Sequence, residues 1–357
     1  MLKKAAALFL VCAGIATWVG CGATSSRYLY AAIPASSEIV AYREDPNSGV
    51  LTALAGSPIT AGSGVHSLLI HPSKKFLYAA NSGGNDISLF TISTAGKLTE
   101  VTPRTNVGNG ASNPTLLAMD AAGGFLYVGN SGSNNISVFS IDASSGALTA
   151  VGIPFQIGMS PTNMQLSPSG GVLYVTGGGS PGFIEAFSLV QGVPTPISPG
   201  SPFPTGPNPY GLVLNSSGTF LYTANFGDKS ISEFAIKSDG SLKELSSSPV
   251  GETYTGPLAL FIDKSGAYLY VANEGSTNLA AYSIGSDGSL TPLTSSPFSA
   301  GSQPSVITGD ASGKYLFVGN QSSPVVQSFS LNTGTGVLTS IATYSLTGTP
   351  TSIVITP

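Results

Sequence analysis

The sequence predicts an all-β protein built from seven copies of one unit, and its composition and an internal repeat are the evidence. Only 8% of the 357 residues are charged, 41% are hydrophobic, and 45 are Gly and 25 Pro. Turn-forming residues at this level are unusual in helical proteins. A short aromatic triplet recurs seven times, every 47 to 49 residues, and such a fixed period is typical of an array of identical supersecondary units.

Each unit is predicted to form four short strands. The triplets begin at Tyr28, Phe76, Phe125, Val172, Phe220, Tyr268 and Tyr315. In the unit from Pro114, the segments "PTLLAMD", "FLYVGN", "NISVFSI" and "ALTAV" are strands separated by Gly-, Ser- and Asn-rich turns. The second and third strands carry large apolar residues on both faces, so each sheet must be covered on both sides. Radial stacking of four-stranded antiparallel blades provides that cover, which predicts a seven-bladed β-propeller.

The chain ends predict how the ring closes. The first unit begins at its second strand, "RYLYAAI", whereas the chain stops after an additional first strand, "TPTSIVITP". The C-terminal strand is therefore expected to join the N-terminal blade and to remove two open sheet edges. The propeller should occupy residues 27–357.

The N-terminus has the organisation of an export signal. Lys3 and Lys4 precede an apolar run over residues 5–19, which is shorter than a membrane-spanning helix requires. The segment "WVGC" resembles the lipobox of bacterial lipoproteins, although Trp18 stands where that motif usually has Leu. We therefore expect a signal peptide over 1–20, lipid attachment at Cys21, a short tether over 21–26, and a location at the bacterial cell envelope, on the outer membrane or facing the periplasm.

The two histidines, His66 and His71, do not form a predicted metal site. His71 aligns with turn-opening Asp and Ser residues of other units, and Lys74 aligns with a Gly that is expected to be left-handed. His66 aligns with the first residues of the innermost strands. Five residues along a strand span roughly 16 Å, so the histidines should lie at opposite ends of their blade. We predict neither a metal nor a cofactor.

The blade end that holds His66 is the predicted ligand site. The starts of the inner strands and the ends of the second strands should lie together at this end. The candidate ligand-binding residues there are Asn81, Asn130, Asn163, Tyr210, Asn225, Asn273 and Asn320. Amides and hydroxyls around a cleft suit a carbohydrate or another polar neutral ligand. Asn is also common in tight turns, so each of these residues has a structural alternative. A weakly acidic body with three Arg makes nucleic acid a poor partner.

Repeats such as "FLYVGNSGSNNISVFSI" and "YLYVANEGSTNLAAYSI" resemble the YVTN propeller repeat and the seven-bladed lactonase family, which includes bacterial 6-phosphogluconolactonases and fungal muconate-cyclising enzymes. The resemblance implies Pro-Arg-His at the start of an inner strand and Asn-Glu after the second strand of the same blade. This chain keeps Pro257, Asn273 and Glu274 but has Leu258 and Ala259 at the Arg and His positions.

Two function classes therefore stay open. The first is an exported, lipid-anchored, monomeric binding or scaffold module for a polar small molecule, a glycan or a surface protein. The alternative is a lactonase that hydrolyses a sugar or organic-acid lactone, with His66 and Glu274 as its candidate catalytic residues. Those two residues lie three blades apart, so a substrate would have to bridge them.

Overall fold

The computed structural model describes residues 26–198 and 200–357, and it confirms the seven-bladed propeller. These residues form strands and turns, and no helix in this part of the chain is long and apolar enough to cross a membrane. The predicted signal peptide and Cys21 lie outside the described residues. Seven separate antiparallel sheets, the blades, follow one another along the chain.

The strands are numbered in chain order. The innermost strands are β5 (Val65–Ile70), β9 (Pro114–Met119), β14 (Pro161–Leu166), β19 (Pro209–Leu214), β24 (Pro257–Ile262), β29 (Pro304–Gly309) and β33 (Ser352–Ile355). The second strands are β1 (Arg27–Ile33), β6 (Phe76–Asn81), β10 (Phe125–Asn130), β15 (Val172–Gly177), β20 (Phe220–Asn225), β25 (Tyr268–Asn273) and β30 (Tyr315–Asn320). The third strands are β2 (Glu38–Glu44), β7 (Asp86–Ile92), β11 (Asn135–Ile141), β16 (Gly182–Val190), β21 (Ser230–Ile236), β26 (Asn278–Ile284) and β31 (Val325–Leu331).

The outermost strand is continuous in two blades and divided in five. It is continuous as β8 (Leu98–Asn106) and β32 (Leu338–Ser345). The divided pairs are β3 (Leu51–Ala53) and β4 (Ile59–Thr60), β12 (Leu148–Ala150) and β13 (Phe155–Gln156), β17 (Val193–Pro196) and β18 (Phe203–Thr205), β22 (Leu242–Glu244) and β23 (Val250–Gly251), and β27 (Leu290–Pro292) and β28 (Phe298–Ser299). The expected single fourth strand is thus divided in five blades, and each linking segment contains a Pro, which has no N–H to donate to the ladder: Pro58, Pro154, Pro202, Pro249 and Pro297.

The core lies between blades rather than within them. Each of the apolar clusters combines buried residues of two adjacent blades, and together they cover every interface of the ring. The last residue of the aromatic triplet is at most 1% exposed in all seven blades. In five blades this residue is a Tyr whose hydroxyl donates to a turn carbonyl of the next blade, as from Tyr222 to Gly288 at 2.7 Å.

The C-terminal strand closes the ring as predicted. Strand β33 pairs with β1, with Ile353 opposite Ala31 and Ile355 opposite Leu29. The first blade then packs against the seventh, where Tyr42 donates its hydroxyl to the carbonyl of Ser345 at 2.8 Å. The Arg27 guanidinium adds a 2.8 Å ion pair to Asp310 of the seventh blade.

The turn that contains His71 has the predicted structural role. His71 is 5% exposed, its Nδ1 accepts the Ser73 N–H, and its Nε2 lies 3.0 Å from the Gly123 carbonyl oxygen of the next blade. Lys74 has a φ of +61°, so it occupies the left-handed position that Gly fills in other blades. His71 therefore links two turns at the end of the ring opposite the inner-strand entrances.

Candidate functional site

A β-bulge at the start of the inner strands points one residue per blade toward the ring axis. The pairing between β5 and β6 passes from Val65 directly to Ser67, which leaves His66 without a cross-strand partner. The same shift occurs in the five following blades. Bulges of this kind redirect side chains and are frequent beside binding sites. The bulge residues, together with their equivalent in the first blade, are His66, Thr115, Thr162, Tyr210, Leu258, Ser305 and Thr351, and all seven line a channel cavity of 360 Å³.

In six blades a second residue lies at the same end, immediately after the second strand and 16 positions after the bulge residue. We call these the loop residues; examples are Phe226, Glu274 and Gln321. The backbone N–H of Glu274 donates to the Gly256 carbonyl at 2.7 Å, and equivalent bonds hold the loop residues of four other blades. In these five blades the acceptor is a residue with positive φ just before the inner strand. The position of each loop residue is therefore fixed relative to its bulge residue.

Bulge and loop residues together line a wide mouth cavity of 440 Å³ above the channel. The cavity extends over the fifth, sixth, seventh, first and second blades. Its polar lining includes His66, Tyr210, Glu274, Ser305, Gln321 and Thr351. His66 and Glu274, which are far apart in sequence, thus face one cavity. Such an open, partly apolar concavity with a few convergent polar groups has the features of a small-molecule site.

One hydrogen bond of His66 determines which ring nitrogen carries the proton and which can act as a base. Its Nδ1 lies 3.1 Å from the Thr115 carbonyl oxygen, which can only accept, so Nδ1 carries the proton in the neutral ring. This leaves Nε2 as an acceptor. Burial lowers the pKa of His66 below its ordinary value, although the bond to Thr115 opposes part of that effect. His66 is therefore predominantly neutral at pH 7.

An aromatic pair forms one wall of the mouth. Tyr210 is 39% exposed, and its ring meets the edge of Phe226 with centroids 5.7 Å apart and planes at 81°. The Asn163 amide donates to the Tyr210 carbonyl at 2.9 Å and holds its backbone. A side chain on Gly256 would come within 3.0 Å of the Phe226 ring, so this Gly allows Phe226 to pack beside the backbone that carries Glu274.

Five predicted ligand residues do not face the cavity, which corrects the expected ring of amides. Asn81, Asn130, Asn225, Asn273 and Asn320 are all 0% exposed. Asn225, for example, donates to Ser230 at 2.9 Å and Ser232 at 2.8 Å in its own blade. These Asn residues occupy the last paired position of the second strand, and the side chains of Asn81, Asn130, Asn225 and Asn273 donate to residues of the third strand of their own blade. Tyr210 and Asn163 do line the cavities, as does His66.

The loop residues Phe226 and Gln321 were not among the site residues predicted from the sequence. Each follows an Asn directly, in the same position as Glu274. That alignment was available in the sequence and would have identified both. Leu258 and Ala259 line the channel at the positions where the family resemblance places Arg and His, so this part of the wall is apolar. The described residues contain no group of three or more His, Cys, Asp or Glu that could hold a metal ion.

Comparison with known proteins agrees with the fold. Residues 27–160, 156–258 and 248–355 match the family described as lactonase, 7-bladed β-propeller. No sequence among the curated proteins matches the chain.

Solved structures of low sequence identity share the fold. A periplasmic gluconolactonase from Pseudomonas aeruginosa is 20% identical, with a TM-score of 0.74 over 93% of this chain and 99% of that one. A protein from Bacteroides fragilis, proposed to be a 6-phosphogluconolactonase, is 20% identical with a TM-score of 0.78 over 93% and 98% of the two chains. The match to the family extends over nearly the whole ring, and the protein belongs to the seven-bladed β-propeller lactonase family.

Proposed function

We propose that the protein is a binding module whose mouth cavity holds a polar, carbohydrate-like small molecule. The observation that supports this most directly is the combination of an exposed aromatic wall, Tyr210 and Phe226, with polar groups across one cavity. Aromatic rings can pack against the apolar C–H faces of a sugar while hydroxyl, amide and carboxylate groups bind its hydroxyls. A surface protein partner is the alternative ligand for the same face.

A second candidate function is lactone hydrolysis, and the shared cavity of His66 and Glu274 is the observation that favours it. A neutral His66 with a free Nε2 could accept a proton from a water molecule that attacks the lactone carbonyl. The positions at which the family resemblance places Arg and His offer nothing to stabilise the resulting oxyanion, because Leu258 and Ala259 carry no hydrogen-bond donor in their side chains. Loss of one such donor typically slows an enzyme by about a hundredfold to a thousandfold.

We also propose that the protein is exported and lipid-anchored through Cys21. The basic residues Lys3 and Lys4, the apolar run that follows them and the small residue before Cys21 support this proposal. The tether would join the propeller at Ser26, where the described chain begins.

The binding proposal predicts that Tyr210→Ala weakens ligand binding by about tenfold or more, because removing a central aromatic contact typically costs over 1 kcal/mol. A glycan array first identifies ligands of the protein without residues 1–20, and calorimetry then compares the variants. Ile153→Ala is the control, since Ile153 is 89% exposed in the segment between β12 and β13 of the third blade. An unchanged affinity in Tyr210→Ala would place the ligand elsewhere.

For lactones, we expect absent or very weak turnover, measured as proton release from gluconolactone. Any turnover that uses His66 should fall as the pH drops through a pKa below the ordinary 6.5, because the protonated ring cannot act as a base. If turnover is robust and either His66→Ala or Glu274→Gln abolishes it, lactone hydrolysis replaces ligand binding as the favoured function. Robust turnover that survives both changes would establish an enzyme with a different site.

The localisation proposal predicts that Cys21→Ser releases the protein from the membrane fraction, whereas the matched change Cys12→Ser leaves it there. Cleavage before Cys21 also removes Trp18, the one Trp of the chain, so the mature protein should show tyrosine emission alone. Membrane association of Cys21→Ser, or tryptophan emission from the mature protein, would contradict the lipid anchor.

A further inference from the structure

The charges around the mouth are distributed unevenly. Among the described residues that line the mouth cavity, Glu274 is the one carboxylate and none is Lys or Arg. Glu274 is half-buried. His66 is the imidazole of the lining, and its Nδ1–H donates to the Thr115 carbonyl oxygen. An anionic ligand would therefore meet a carboxylate and find no cation in the lining.

The lysines lie mostly at the other end of the ring. Turns between the first and second strands, and between the third and fourth, carry Lys74, Lys75, Lys97, Lys237, Lys264 and Lys314. These turns lie opposite the inner-strand entrances. At the mouth end, the loops between second and third strands carry Lys229 together with Asp228, and β2 and β7 begin there with Glu38 and Asp86. Arg104, near the same end of β8, is ion-paired with Glu100, so the surroundings of the mouth also carry an excess of negative charge.

The uncharged lining completes the pattern. Tyr210 and Phe226 present an apolar wall, and Ser305, Gln321 and Thr351 present neutral hydrogen-bonding groups. Neutral donors and acceptors of this kind can satisfy ligand hydroxyls, and the Glu274 carboxylate can accept from them. None of these groups neutralises a phosphate or carboxylate of a ligand, and the Glu274 carboxylate repels such an anion.

We infer that the mouth selects an uncharged polyhydroxyl ligand, such as a free sugar or its lactone, and discriminates against the phosphorylated form of the same sugar. This inference rests on the proposed binding function and specifies its ligand class. Glu274 is the residue that sets the discrimination by charge, because it is the carboxylate of the lining. The aromatic wall and the neutral polar groups bind both forms equally, so they set affinity rather than this selectivity.

The test compares matched pairs: glucose, galactose and mannose, each with its 6-phosphate. Binding to the protein without residues 1–20 is measured by calorimetry and by ligand-observed NMR at low and at physiological salt. We expect the free sugar of a pair to bind about tenfold or more tightly than its phosphate at low salt, with a smaller ratio as salt screens the repulsion. Glu274→Gln should reduce the ratio, and Gln321→Lys should reduce it further by adding a cation at an exposed position of the same cavity.

Glu244→Gln is the matched control, since Glu244 is an exposed carboxylate on an outermost strand, and it should leave the ratio unchanged. Tighter binding of the phosphates than of the free sugars would overturn the inference while supporting a ligand site at the mouth. An equal effect of Glu274→Gln and Glu244→Gln would also overturn it. Binding of neither member of any pair would count against the proposed function itself, and the inference would fall with it.

Discussion

The structure depends on one constraint: no blade has a hydrophobic core of its own. Each apolar cluster is shared by two neighbouring blades, as where Tyr222 of the fifth blade packs with Leu269 and Val271 of the sixth. Burial of side chains of this size contributes about 1.5–3 kcal/mol each, so a blade gains most of its stability from its two neighbours. An open ring would leave two such faces in water. The pairing of β33 with β1 is therefore the contact that lets the other interfaces persist.

Ring closure also creates the candidate site. The mouth cavity takes its residues from five blades: the fifth, sixth and seventh each contribute a bulge residue and the loop residue 16 positions later, whereas the first and second contribute only residues at or beside the bulge position. Neither position belongs to the apolar clusters between the blades. Their side chains can therefore vary without disturbing the interfaces. This separation explains how Leu258 can stand where the family resemblance places Arg in a ring that is otherwise complete.

The sequence predicted the fold well because the relevant signals are local and repeated. Strands apolar on both faces, Gly-rich turns and a constant period leave few architectures open, and the displaced first strand indicated the closure. The residues now assigned to the bulges were also predicted to lie at the starts of the inner strands, because they align with His66. His71 and Lys74 were assigned correctly to a turn on the same grounds.

The polar side chains of the site were harder to predict. An Asn at the end of a strand can point into a blade or toward a ligand, and the sequence pattern is the same in both cases. In the structure these Asn side chains are buried, and the Asn225 amide, for example, donates to the hydroxyls of Ser230 and Ser232. Tyr210 and Phe226 come from different segments of the fifth blade and pack edge to face, a contact that no spacing rule reveals. The fold could therefore be predicted from local sequence patterns, whereas the orientation of the polar site residues depends on three-dimensional contacts.

Ring closure is tested most directly by a pair of matched substitutions. Ile353 of β33 is 7% exposed in the cluster between the first and seventh blades, whereas Ile153 is 89% exposed. Chemical denaturation should show that Ile353→Ala lowers the free energy of unfolding by about 2–5 kcal/mol, while Ile153→Ala changes it by about 0.5 kcal/mol or less. Equal and small effects of the two substitutions would contradict the closure of the ring by the C-terminal strand.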